Sequence, residues 1–176
     1  MKPAKIGLLG LGTVGGGTIT VLSRNREEIA RRAGREIRVV MASARDLKKK
    51  RGFDTTGIEL VADPFAIVRH PDIDVVVELI GGQEPARQLI LDAIAHGKHV
   101  VTANKHLIAV HGNEIFEAAQ KKGVMVAFEA AVAGGIPIIK TIREGLTGNR
   151  IEWLAGIING TSNFILTEMR EKGADF

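Results

Sequence analysis

The chain has 176 residues, of which 45% are apolar, and a formal net charge of +4 at pH 7; these values suit a folded domain with a sizeable core and exclude extensive disorder. Aromatic residues make up only 4% and tyrosine is absent, so nucleic-acid binding by base stacking is not expected, and a small anion such as a nucleotide phosphate is the simpler partner. The absence of cysteine excludes disulfides and thiolate chemistry, and the apolar runs are far shorter than the ~20 residues of a membrane span, so we expect a cytoplasmic protein without a membrane partner.

The first three quarters of the chain alternate short apolar runs with helical patterns. Strands are predicted at 5–9, 37–42, 74–78, 99–103 and 124–128, and helices at 13–33, 64–70, 84–96 and 113–122. Residues 45–57 are polar and contain glycine, which predicts a loop. Strands that alternate with helices indicate a parallel sheet with helical crossovers, the doubly wound α/β class.

The composition changes near residue 130, where a stretch of small residues begins. A helix at 137–146, a strand at 150–158 and a helix at 162–172 are predicted beyond it. We therefore expect one domain over residues 1–133 and the beginning of a second, α+β domain over 134–176. The second segment is too short to bury its own core, so the chain is expected to be a truncated one.

The segment Gly10-Leu-Gly-Thr-Val-Gly15 follows the first predicted strand and opens the first predicted helix. This context favours a Rossmann-type dinucleotide site over a ligand-free glycine turn. Gly10 would make the tight turn, Gly12 would let the backbone approach a diphosphate, and Gly15 would let helix and strand pack closely. The free N–H groups of the helix start would then hold the phosphates.

Arg45 follows the second predicted strand, at the position where an NAD site usually has an acidic residue. A guanidinium suits the 2′-phosphate of NADP because its planar fork binds phosphate oxygens and stays charged. The basic run 48–51 would add to the same field. Two alternatives stay open, since Asp46 could bind the ribose and permit NAD, and the whole segment could be a solvated loop.

Lys105 follows the predicted strand 99–103 at the carboxyl edge of the sheet, where ligands of such sheets bind. A lysine there can orient a substrate or exchange a proton with its hydroxyl or carbonyl oxygen during hydride transfer, although surface solvation explains most lysines. The five histidines show no zinc signature and are interpreted as caps and surface residues.

Two further segments carry weaker signals. Glu129 precedes a glycine-containing turn, and a carboxylate with turn carbonyls is a donor set for a hard cation, although one glutamate at a strand end is common. The segment Asn159-Gly-Thr161 could equally be a simple turn.

Taken together, these motifs resemble homoserine dehydrogenases over essentially the whole chain. The matching segments are Gly10–Gly15, Glu78-Leu-Ile-Gly-Gly82, Thr102-Ala-Asn-Lys105, Glu129-Ala-Ala-Val-Ala-Gly-Gly-Ile-Pro-Ile138 and Gly156-Ile-Ile-Asn-Gly-Thr-Ser-Asn-Phe-Ile-Leu166. The first of these segments is generic to dinucleotide sites, whereas the last three in combination are specific to this family.

The resemblance implies reversible oxidation of L-homoserine to L-aspartate 4-semialdehyde with NADP, or with NAD as a second possibility, in the biosynthesis of threonine, methionine and isoleucine. It implies that residues 1–133 bind the dinucleotide and that 134–176 begin a domain for catalysis and dimerisation, so a homo-oligomer is expected of the full-length enzyme. The implied cofactor-site residues are Gly10, Leu11, Gly12, Thr13, Val14, Gly15, Arg45 and Lys105. The implied sodium ligands are Glu129, Val132, Gly134 and Ile136, and the residues close to nicotinamide and substrate are Asn159, Gly160 and Thr161.

The family's acidic substrate-binding residues and its second catalytic lysine are expected beyond residue 176, so we expect the chain alone to be inactive. Two other functions remain to be distinguished. Another oxidoreductase with the same cofactor domain is possible, although a semialdehyde dehydrogenase would need a cysteine nucleophile. A nucleotide-sensing module without catalysis would have no need of Lys105.

Overall fold

The computed structural model describes residues 1–157 and 159–175. The chain divides into two compact units, Met1–Gly135 and Ile136–Phe176, a division close to the predicted boundary at residue 133. In chain order the first unit contains β1 (Ala4–Leu9), α1 (Thr13–Arg24), α2 (Arg26–Ala33), β2 (Ile37–Ser43), β3 (Glu59–Val61), α3 (Pro64–Arg69), β4 (Val75–Glu78), α4 (Ala86–Ala95), β5 (His99–Thr102), α5 (Lys105–Lys122) and β6 (Val126–Ala127).

In the described part of the chain, six strands form one parallel sheet in the order β3-β2-β1-β4-β5-β6. The predicted doubly wound α/β class is therefore confirmed. The register aligns Leu9 with Ser43 and with Glu78, and Glu78 with Thr102, so four strands end at one carboxyl edge. The strand order reverses beside β1, and ligands of open parallel sheets bind at this point.

Helices cover both faces of the sheet. Leu9 belongs to the larger buried cluster, which contains side chains of α3, α4 and α5, whereas the adjacent Leu8 packs with Ile19 of α1 and Ala42 of β2. Both leucines are fully buried, and burial of each contributes about 1.5–3 kcal/mol relative to exposure. The alternation along β1 thus holds a helical layer on each face.

Lys98 lies at the opposite, amino edge of the sheet, directly before β5. Its side chain is buried, and Nζ donates to the carbonyl oxygen of Ile73 at 2.8 Å and to that of His70. Burial lowers the pKa of Lys98, and the nearby carboxylates of Asp74 and Asp72 oppose this shift. The buried ammonium group ties the turn before β4 to the start of β5.

Several elements differ from the prediction in their bounds. The helix predicted over 13–33 is interrupted at Asn25, whose φ of −106° and ψ of 22° end α1 before α2 begins. Helix α5 begins at Lys105 and not at 113, because the side chain of Asn104 caps it and Leu107 is buried in its first turn. Strand β3 was not predicted, since three residues are too few to show alternation.

The second unit contains α6 (Ile138–Lys140), a π-helical turn (Thr141–Gly145) and α7 (Gly160–Lys172). The strand predicted over 150–158 is wrong for 150–157, and Ile158 lies outside the described residues. An apolar alternating run forms a strand only beside a partner, and the described residues of this unit contain no other strand. Apolar side chains are left exposed there, among them Trp153 at 80% and Ile157 at 79%.

Among the described helices, none has both the length and the apolar character required to cross a membrane.

The contact of α1 with the turn after β1 predicts opposite effects of alanine at two glycines of the same helix. A Cβ at Gly15 would lie 2.1 Å from the carbonyl oxygen of Gly10, whereas a Cβ at Gly17 would meet nothing within 4 Å. Gly15→Ala should lower the free energy of unfolding by ~1–3 kcal/mol, and Gly17→Ala should raise it by roughly 0.5–1 kcal/mol. Urea unfolding of both variants measures the difference, and equal stabilities would contradict the close approach.

Candidate cofactor site

Three glycines lie in the turn between β1 and α1 and in the first turn of α1, and each has a different environment. Gly10 has a φ of +99°, and a Cβ there would lie 3.0 Å from the carbonyl oxygen of Leu79. Gly15 is required by its approach to Gly10. At Gly12 a Cβ would meet no protein atom within 4 Å. The protein's own packing thus requires two of the glycines, while the third borders open space that a phosphate could fill.

This open space lies at the N-terminus of α1, a helix of 12 residues with Gly12 as its N-cap. No side chain among the described residues caps this helix, so its first N–H groups are free for a ligand. The positive end of the helix dipole favours an anion there. Thr13 and Val14 are exposed beside this space, and Leu11 packs against the cluster of Leu8 and Ile19.

Arg45 follows β2 at the same edge of the sheet and is exposed. Within the described residues it forms no hydrogen bond or ion pair, so its guanidinium group is free for an anion. The neighbouring Asp46, in contrast, is hydrogen-bonded within its own loop. Its Oδ1 accepts the backbone N–H groups of Lys48 at 2.9 Å and Lys49 at 3.1 Å.

A buried carboxylate organises the middle of the carboxyl edge, and no role was predicted for it from the sequence. Glu78 is fully buried at the end of β4. Its Oε1 accepts the N–H groups of Ile80 at 2.7 Å and Gly81 at 3.1 Å, and its Oε2 accepts the hydroxyl of Thr102 at 2.6 Å. An ionisable residue at the end of an otherwise apolar strand was the available signal.

The network continues into the start of α5, where Lys105 lies. The Thr102 hydroxyl accepts the N–H of Asn104 at 3.0 Å, and the Asn104 amide donates to the carbonyl of Gly82 at 2.6 Å. Asn104 also caps α5 by accepting the N–H of Leu107 at 3.1 Å. Lys105, the first residue of the helix, is exposed at this edge. Its backbone is therefore anchored by buried groups while its side chain is free to reach a ligand.

Two histidines of α5 contact Gln83, which lies in the connection after β4. Nε2 of His106 lies 2.5 Å from the amide nitrogen of Gln83, and Nε2 of His111 lies 3.3 Å from its amide oxygen. Across the described residues, no group of three or more histidines and carboxylates is arranged to hold a metal ion.

The turn after β6 contains the predicted cation ligands. Glu129 is half-buried and opens a 3₁₀ turn, and its carbonyl oxygen accepts the N–H of Val132 at 3.2 Å. Positive φ angles follow at Ala133 (52°) and Gly135 (75°), on either side of Gly134. Ile136 is the first residue of the second unit, and its carbonyl oxygen accepts the N–H of Ile138 at 2.8 Å.

Asn159, Gly160 and Thr161 lie in the second unit at the start of α7. The side chain of Asn159 caps this helix, since its Oδ1 accepts the N–H of Ser162 at 2.9 Å. Gly160 and Thr161 form the exposed first turn. The segment is thus a helix cap, and a role close to the substrate stays a prediction.

Comparison with known families assigns both parts of the chain. Residues 10–129 match the family described as "Homoserine dehydrogenase, NAD binding domain", and residues 137–176 match "Homoserine dehydrogenase". The chain is 67% identical to a homoserine dehydrogenase of Pseudomonas aeruginosa and 60% identical to one of Neisseria gonorrhoeae, over all 176 of its residues in both cases. It spans 40% of the length of each of these relatives.

Solved structures agree with this assignment. A homoserine dehydrogenase from Thiobacillus denitrificans is 73% identical and superposes with a TM-score of 0.90, over 98% of this chain and 40% of that one. A hyperthermophilic archaeal homoserine dehydrogenase in complex with NADPH is 26% identical, with a TM-score of 0.81 over 99% of this chain and 58% of that one.

The buried network predicts that the Thr102 hydroxyl stabilises the edge of the sheet. Thr102→Val keeps the shape of the side chain but leaves one oxygen of the buried Glu78 without its donor and the N–H of Asn104 without its acceptor, which should together cost ~1–3 kcal/mol of unfolding free energy. Thr20→Val is the control, because the Thr20 hydroxyl bonds only a carbonyl of its own helix, and it should change stability by less than about 0.5 kcal/mol. Thermal unfolding compares the two variants. Equal losses would show that the Glu78 contact contributes nothing of its own.

Proposed function

This chain belongs to the homoserine dehydrogenase family, and we propose that it supplies the NADP site and one catalytic lysine of a cytoplasmic enzyme that interconverts L-homoserine and L-aspartate 4-semialdehyde. The reaction would serve the biosynthesis of threonine, methionine and isoleucine. The observation that carries the proposal is the open space at Gly12, which lies at the start of α1, where no side chain caps the helix. Lys105 lies at the same carboxyl edge of the sheet. Since the chain spans 40% of its relatives' length, the activity is proposed for the whole protein.

The dinucleotide would lie across the carboxyl edge beside β1. The N–H groups at the start of α1, with Gly12, Thr13 and Val14, would bind the diphosphate. Arg45 would bind the 2′-phosphate of the adenosine ribose, because it is exposed and free of ionic partners within the described residues. The NADPH bound by the archaeal structure supports this choice of cofactor.

Removal of the Arg45 guanidinium should reduce the affinity for NADPH but not the affinity for NADH. Charge-assisted bonds to one phosphate are worth ~1.5–3 kcal/mol, so Arg45→Ala should weaken NADPH binding at least roughly tenfold and leave NADH binding unchanged. Arg35→Ala is a matched control, since this exposed arginine precedes β2 at the opposite edge of the sheet. Fluorescence titration of both cofactors gives the four affinities. Equal binding of NADPH and NADH by the wild-type chain would refute the preference.

Lys105 would act on the substrate oxygen. A bound nicotinamide would supply the hydride acceptor for oxidation of the hydroxyl-bearing carbon of homoserine, which would become the aldehyde carbon of the product. Nζ of Lys105 would hold the substrate oxygen and take up the hydroxyl proton as the carbonyl forms. The hydrogen bonds of Asn104 at the start of α5 support this role, because they fix the backbone from which the side chain extends.

Lys105→Ala in the full-length protein should lower kcat by ~10²–10⁴, the usual loss for a positioned proton-transfer group. The fold should be unchanged because the side chain is exposed. Lys121→Ala, near the other end of α5, is the control and should retain turnover. Measurement follows homoserine-dependent reduction of NADP at 340 nm.

Near-normal turnover by the Lys105 variant would limit this residue to a surface role.

The 176-residue chain, assayed in parallel, should bind NADPH but not oxidise homoserine, because loosely held substrate does not reach the geometry of hydride transfer. Turnover within about tenfold of the full-length protein would contradict this expectation.

We further propose a sodium ion bound by the carboxylate of Glu129 and the main-chain oxygens of Val132, Gly134 and Ile136. Hard cations take oxygen ligands of this kind, and the backbone between Val132 and Gly134 has a positive φ at Ala133. If sodium is present at ten times its dissociation constant, binding contributes about 1.4 kcal/mol.

Sodium should therefore raise the Tm by roughly 3–6 °C over tetramethylammonium at equal ionic strength. Glu129→Ala should abolish this difference, whereas Glu117→Ala, an exposed carboxylate of α5, should retain it. Differential scanning calorimetry in the two salts provides the comparison. Identical Tm values for the wild-type chain in both salts would argue against the site.

The second unit is proposed to begin the domain for catalysis and dimerisation. Its exposed apolar side chains include Ile151, Leu154, Phe164 and Leu166. Apolar residues in this number are usually covered by the rest of a chain or by a partner, and a homo-oligomer of the full-length enzyme would supply the second kind of cover.

A further inference from the structure

The loop after β2, residues 45–51, is folded by two charged side chains of its own. At its start, Oδ1 of Asp46 accepts the N–H groups of Lys48 and Lys49. At its end, the guanidinium of Arg51 donates to the carbonyl of Asp46 at 2.6 Å and to that of Lys49 at 2.9 Å. The two sets of bonds close the loop immediately after Arg45.

The basic residues 48–51 therefore have two different roles. Arg51 is half-buried, and its Nε is enclosed without a hydrogen-bond partner among the described residues. Withdrawing a guanidinium from water is unfavourable unless its remaining donors are well used, and here both terminal nitrogens bond loop carbonyls. The three lysines at 48–50 are exposed and add positive charge only to the surface.

The geometry of Asp46 also bears on which ligand the loop accepts. An acid that binds ribose hydroxyls in an NAD site points its oxygens at the ligand. In Asp46 one oxygen already accepts two backbone N–H groups of the loop. This arrangement uses one oxygen of the carboxylate within the loop, so at most the other could accept a hydrogen bond from a ligand.

We propose that Asp46 and Arg51 are positioning residues, which fold the loop and so present Arg45 to the 2′-phosphate, and that Asp46 is not a ribose ligand. The inference rests on the proposed NADP site. It assigns the selectivity for phosphate to Arg45 together with the fold of residues 46–51.

Asp46→Asn and Asp46→Ala separate the two possible roles of this residue. Asparagine keeps the oxygen that accepts the loop N–H groups and removes the charge, whereas alanine removes both. Asp54→Ala is a matched control, because Asp54 makes a similar cap in the same connection by accepting the N–H of Thr56 at 2.8 Å. Arg51→Ala tests the other end of the loop.

The affinities of NADPH and NADH are measured by fluorescence titration. A local cap is worth ~1 kcal/mol, so Asp46→Ala and Arg51→Ala should each weaken NADPH binding about fivefold. Neither change should affect NADH, and Asp46→Asn should bind NADPH at least as well as the wild type. Asp54→Ala should bind both cofactors normally.

Amide hydrogen exchange of the cofactor-free protein gives an independent measurement. Exchange at Lys48 and Lys49 should be faster in Asp46→Ala than in Asp46→Asn or the wild type. If both Asp46 variants lose NADH affinity, Asp46 is a ribose ligand and the inference is overturned. Equal exchange and equal NADPH affinity in the two variants would also overturn it. Equal wild-type affinities for the two cofactors would instead refute the NADP preference, while the exchange rates would still decide whether Asp46 folds the loop.

Discussion

The burial of one carboxylate at the end of β4 constrains most of the candidate site. A buried carboxylate is tolerated only when donors satisfy its oxygens, and Glu78 obtains these donors from two directions. The N–H groups of Ile80 and Gly81 bend the chain after β4, and the hydroxyl of Thr102 links β4 to β5. The same bend sets Leu79 against Gly10, so the glycine turn and the start of α5 share one support.

The hydrogen bonds around Glu78 hold some parts of the candidate site and leave others outside. Lys105 and the turn at Gly10 extend from backbone that is hydrogen-bonded within the buried edge. Arg45 lies outside that network, on a loop held by its own polar side chains. The proposed phosphate selectivity can therefore change by substitutions within one loop, while the position of Lys105, the proposed catalytic lysine, depends on the packing of the sheet.

The sequence predicted the fold well where local signals agree with long-range packing. The predicted strand end at residue 9, the predicted helix starts at 13 and 64 and the predicted helix end at 122 all match boundaries that the structure contains. The link that Glu78 makes between β4 and β5 could not be predicted, because the Thr102 hydroxyl that it accepts lies 24 residues further along the chain. Similarly, the pattern over 150–158 indicates a strand, but whether a strand forms depends on a neighbour that a local pattern does not reveal. The cofactor roles of the glycine segment, Arg45 and Lys105 came first from motif and position, the full set of cation ligands came from family resemblance, and both stay proposals.

Trp153 gives the second unit a spectroscopic signal of its own. It is the only tryptophan in a chain without tyrosine, and its side chain is 80% exposed. Ultraviolet-excited emission from the protein therefore originates from a single indole ring that is largely in water. Any partner surface that covers this ring would shift the emission to shorter wavelengths, and the parallel sheet would contribute no tryptophan background to the measurement.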